Sequence, residues 1–168
     1  DQFMTNCVSD SSSTAKIYAR RDFHQECVDT INELRALEGL PPLERYKEAE
    51  DISNDDARVN YEMDIAHYHV HGVKEGGSRY AGQNQTSSPV GKLEVLLSDI
   101  KDYMYAQEKQ CYENNTCETC PGSETCGHYF NIVGENYDYD RVSCGIYVTP
   151  NGRFANVQNF WERGKTVP

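Results

Sequence analysis

The sequence predicts an α+β domain in which helices cover an antiparallel sheet. Apolar residues recur at spacings of three and four near residues 23–34 and 93–104, the signature of one buried helix face. In the last third they alternate instead, on either side of Pro150-Asn151-Gly152, which reads as strand, tight hairpin, strand. Helices first and hairpin strands later make an α+β order.

Residues 1–21 lack periodicity, include Ser11-Ser12-Ser13-Thr14, and read as an N-terminal arm; residues 22–168 read as a single domain. Phe23, Cys27, Ile31 and Leu34 mark the first helix, with Gly39 at its stop and Pro41-Pro42 beyond. A second, less regular helix is expected from Glu44 to about Asn60, with Ala49, Ile52, Ala57 and Tyr61 on or near its apolar side. Residues 62–88 read as a long loop rich in His, Gly and Ser, and loops of that length are commonly either functional or poorly ordered. Ser88 and Pro89 read as N-cap and first helical position of a third helix, with Leu93, Leu97, Ile100 and Met104 buried. Four residues further, the stripe lands on Glu108, an unusual residue for a buried line. Residues 111–127 form a Cys-rich loop. Val142, Cys144, Ile146 and Val148 define one strand and Phe154 to Trp161 its partner.

The chain of 168 residues carries 27 acidic against 16 basic side chains, a formal charge of −11. That balance argues against a nucleic-acid partner, and no run approaches the ~18 apolar residues of a membrane span. Seven cysteines point to an oxidising compartment, and a first residue of Asp rather than Met fits a removed signal peptide. Asn84-Gln85-Thr86 and Asn114-Asn115-Thr116 are glycosylation triplets. The odd cysteine count leaves one thiol over: Cys7 and Cys27 stand apart, so either is the leftover or the two pair together. Cys111, Cys117, Cys120 and Cys126 allow a zinc knot, but the oxidising reading favours disulfides within the loop.

His67, His69 and His71 alternate and, with His128, form a candidate metal site. Exposed loop histidines with no specific role are the plainer alternative. Glu108 is either a structural acid satisfied by amides or a hydroxyl, or a cleft carboxylate beside a histidine. Unpaired burial is too costly, so it must have a partner.

Gly127-His128-Tyr129-Phe130-Asn131-Ile132-Val133 followed by Val142-Ser143-Cys144-Gly145 resembles the GHYxQVVW…VGCG signature of the CAP superfamily, which holds cysteine-rich secretory proteins, insect venom allergens and plant pathogenesis-related proteins. The Asn131-Ile132 pair looks closer to the GHxxNIL form of bacterial members. Asn32-Glu33-Leu34-Arg35-Ala36 with Gly39 to Leu43 resembles the family's first helix and its exit, and Asn156 to Phe160 its closing strand. The resemblance covers about residues 22–161 and implies a three-layer α-β-α sandwich around an antiparallel sheet, with a cleft of two histidines and two acids. It assigns His128 directly, Glu108 through Tyr105-Ala106-Gln107-Glu108, and His71 as the other histidine, with His69 the runner-up. Gln83, in Ala81-Gly82-Gln83-Asn84, stands where the second acid is usual, as in some insect venom members. Ile31 replaces the histidine of H-N-x-x-R, and the closing strand lacks its cysteine, so Cys144 cannot make the family's expected bond. Asn84 lies inside the cleft motif, and burial there would preclude a glycan.

Two functions follow from the resemblance. The favoured one is a secreted binding module for a sterol or fatty acid, a metal ion or a partner protein. The alternative is a hydrolase in which His71 and His128 hold a divalent ion such as zinc and Glu108 activates water. Gln83 cannot take a proton, which weakens the second.

Overall fold

The computed structural model describes residues 21–68, 82–86, 88–135 and 137–167. Nearly all of the expected N-terminal arm, together with Cys7, His69 and His71, lies outside the described residues.

Helix α1 spans Phe23–Leu37, its first turn capped by the Asp22 carboxylate, which accepts the Gln25 N–H at 3.2 Å. A two-residue strand β1 (Glu44–Arg45) and a 3₁₀ turn (Lys47–Ala49) precede α2 (Glu50–Met63). After strand β2 (Gly82–Gln85), α3 (Leu93–Asp99) runs on through a π-helical segment (Ile100–Gln107) into α4 (Glu108–Glu113). A 3₁₀ turn (Cys117–Thr119) leads to α5 (Gly127–Val133), and β3 (Tyr139–Val148) and β4 (Phe154–Glu162) form the hairpin. The sheet order is β1-β3-β4-β2. β3–β4 and β4–β2 are antiparallel, and the short β1 adds a parallel edge pair to β3.

The two sheet faces differ in chemistry. Val142, Cys144, Ile146, Phe154 and Phe160 join Phe23, Ile31, Leu34, Leu96, Ile100 and Met104 in an apolar core beneath α1 and α3. On the other face α2 buries Ser53, Asp56, Ala57 and Asn60, a mostly polar stripe that meets Ser143 and Asn159, with Trp161 donating to Ser143. Helix and strand approach there at backbone distance: a Cβ on Gly145 would fall 1.9 Å from the Ser53 carbonyl oxygen.

Several expectations change. The second helix begins at Glu50 rather than Glu44, because Glu44 and Arg45 pair with Arg141 and Val142 of β3. Its buried side is Ser53, Asp56 and Asn60 around Ala57, while Tyr61 is exposed. The third helix begins at Leu93 rather than Pro89, because the Val90 backbone is paired with Phe154 (2.9 and 2.8 Å). β2 falls inside the expected loop, and Gly127–Val133 is an additional helix.

Cys27 bonds Cys144, tying α1 to β3, so neither pairing of Cys27 with Cys7 nor a free Cys27 holds. Cys111–Cys120 and Cys117–Cys126 close within the Cys-rich segment of residues 111–127, here called the insert, which replaces the zinc-knot alternative.

Candidate functional site

Glu108 reaches its position through the apolar stripe itself. Leu93, Leu96, Ile100 and Met104 bury one side of α3 and the π-helical segment, with Leu96 in the full burial expected of Leu97, which is half-buried, and the same line brings Glu108 inward at 2% exposure. Its cost of burial is offset by two hydrogen bonds. Oε2 accepts the Tyr129 N–H at 2.9 Å, and Oε1 lies 2.5 Å from His128 Nδ1. A carboxylate on Nδ1 fixes the ring's orientation and leaves Nε2 as the lone-pair nitrogen of the neutral ring, the arrangement that also supports imidazoles as metal ligands.

His128 and Glu108 line a cleft of about 450 Å³, whose walls include Tyr103, Met104, Gln107 and Pro121. That volume falls within the usual range for small-molecule sites. Asp99 also borders it; burial, then the neighbouring Asp102, raises its pKa. The insert supplies one wall: Gln107 Nε2 donates to the Pro121 carbonyl, and Cys126, bridged to Cys117, leads directly into Gly127-His128.

Gln83 faces away from this pair. Successive residues of a strand point to opposite faces. Asn84 turns toward α5, donating to the His128 carbonyl at 3.3 Å and accepting from Asn131 at 2.9 Å. Gln83 turns toward α2, where it meets Asn60, His67 and Asn159. The described imidazole beside Gln83 is thus His67, with Nδ1 2.9 Å from Gln83 Oε1. His71 and His69 lie outside the described residues. Among the described residues no cluster of three His, Cys, Asp or Glu side chains could hold a metal ion. Of the two candidate zinc ligands only His128 is described, and with Nδ1 engaged it offers one donor, Nε2.

The polar layer under α2 escaped the sequence reading. Its signal was present as Ser53, Asp56, Ala57 and Asn60, spaced i, i+3, i+4, i+7 like an apolar face but carrying hydrogen-bonding groups. Asn159 of β4, which bonds Ser53 and Asp56, was the matching sign on the strand.

No curated protein sequence matches the chain. Residues 28–161, most of the chain, match the family model of CAP, the Cysteine-rich secretory protein family. The match spans α1 to β4, and with it the helix that carries Glu108 and the motif that carries His128, so the chain belongs to the CAP family.

Proposed function

We propose that the chain is a secreted binding module whose cleft takes a small, neutral amphipathic molecule of the sterol class. One observation carries this reading: a cleft that combines Tyr103, Met104 and Pro121 on its walls with the Glu108–His128 pair at its polar side. A hydroxyl can hydrogen-bond to such a pair. A fatty-acid carboxylate would meet Glu108 and Asp99 and be repelled, which ranks it below a neutral headgroup. Three disulfides and family membership support secretion. Of the glycosylation triplets, Asn114 is exposed whereas Asn84 is fully buried, so any glycan belongs on Asn114. An extracellular protein partner is the other form of the binding reading.

The test is titration with a fluorescent sterol, with palmitate as competitor. We expect saturable sterol binding, weak competition, and roughly fivefold weaker binding in Tyr103→Ala, the order of one partly buried aromatic contact. Absence of sterol uptake would overturn the reading.

The hydrolase alternative rests on the same Glu108–His128 pair. Among the described cleft residues the hydroxyls are those of Thr86 and Tyr103, and Thr86 Oγ1 is already bonded to Asn156. The alternative therefore stands or falls on an activated water, not on a hydroxyl nucleophile of these residues. A zinc role for His128 predicts calorimetric affinity that falls in His128→Ala and falls on acidification, because only neutral imidazole ligates. Equal affinity in both proteins would remove the metal from the site.

A further inference from the structure

The polar layer between α2 and the sheet contains a chain of side-chain hydrogen bonds with two fixed ends. One end is Asp56, 1% exposed, whose carboxylate can only accept. Asn159 must therefore bring Nδ2 to it, at 2.8 Å, and the same Nδ2 donates to Ser53 Oγ at 3.0 Å. Asn159 then presents Oδ1 to Gln83, which must answer with Nε2, at 2.8 Å. The other end is the backbone N–H of Tyr68, which can only donate. It meets Asn60 Oδ1 at 3.0 Å, so Asn60 directs Nδ2 to Gln83, at 3.1 Å. Both ends demand the same thing: the Gln83 atom facing His67 is the carbonyl oxygen. An oxygen 2.9 Å from His67 Nδ1 requires a proton on that nitrogen.

We propose that Gln83 is a positioning residue that holds neutral His67 as its Nδ1–H tautomer, with Gln83 itself oriented from Asp56 through Asn159 and from Tyr68 through Asn60. Nε2 is then the acceptor of the ring. Whatever group meets it must bring a proton or a positive charge: a hydroxyl, an ammonium or a borderline divalent cation, not an anion. A glutamine does here what a carboxylate would do for ring orientation, without adding a charge. The amide is usable because its direction is dictated from both sides; an isolated glutamine beside a histidine could present either end.

The experiment is nitrogen–proton correlation NMR on protein labelled with ¹⁵N-histidine, kept well above the ordinary imidazole range near ~6.5. His67→Asn identifies the His67 signals by their loss. In the unaltered protein we expect the Nδ1–H pattern, and an Nε2–H pattern would overturn the proposal. Gln83→Leu should shift the population toward Nε2–H, whereas Gln83→Glu, which keeps an oxygen acceptor, should retain Nδ1–H. A folded Gln83→Leu protein with an unchanged tautomer would overturn the role of Gln83. Should Gln83→Leu fail to fold, the unaltered protein and Gln83→Glu still decide, since Nε2–H in either contradicts the proposal.

Discussion

At the scale of single residues, legibility depended on whether a side chain's role lies along its own element. Glu108 was readable because it continues a stripe at helical spacing, and burial of a carboxylate then requires partners. Those partners, His128 and the Tyr129 amide, come from another helix about twenty residues on and carry no local sign beyond the GHY motif. Gln83 and His67 were not readable as a pair, because their contact depends on strand facing and on a turn with His67 at φ +54°. Replacing Glu108 by Leu should strand the Tyr129 N–H and release His128, at about 1–3 kcal/mol for the buried amide, read by urea unfolding. Gly145→Ala places a methyl against the α2 backbone. Overpacking of that kind costs about 1–3 kcal/mol or more, visible as a lower urea midpoint with an unchanged m-value.

Elements were read well where periodicity and packing agree. α1, the β3–β4 hairpin and the stripe of α3 follow from apolar spacing, and Gly152 at φ +76° supplies the left-handed turn residue. β1 and β2 were missed because each is defined by its partner strand: Glu44-Arg45 is too short to show alternation, and Gly82–Gln85 is polar on both faces. The insert is the element with the clearest consequence for the cleft, since its two disulfides brace Pro121 and the entry to His128. Cys111→Ala/Cys120→Ala should weaken cleft binding while the apolar core stays folded. Cys27→Ala/Cys144→Ala should leave the insert intact and lower stability by roughly 2–5 kcal/mol in urea titration.

For the whole molecule, the pH response follows from individual paired groups rather than from the charge of −11. Lys109, then Tyr105, hold the Glu38 carboxyl below its ordinary range, and Arg45 does the same for Asp22. A depressed carboxylate adds stability above its unfolded pKa and loses it as pH falls through the folded value. Urea stability should therefore be flat near neutrality and decline below about pH 4. Tyr105 titrates in the opposite sense. Burial, then Glu38, push it up to about 12, so its contribution is full below the unfolded phenol value near ~10 and is lost as pH climbs to about 12. Tyr105→Phe should shallow the alkaline decline, and an unchanged slope would assign that decline to other tyrosines. The general layered fold was legible at this scale, but the polar character of one layer was not, because burial was expected to follow apolar residues.

The three disulfides also impose a timetable on folding. The insert's bonds each join cysteines nine residues apart and need only a local search. Cys27 must wait for a partner 117 residues downstream, made after α2 to α5 and the insert have already been synthesised. During that interval the Cys27 thiol of α1 is exposed to exchange with whichever cysteine has emerged. Pairing of the insert cysteines with one another withdraws them from that competition, and leaves in it Cys7, which is made before Cys27.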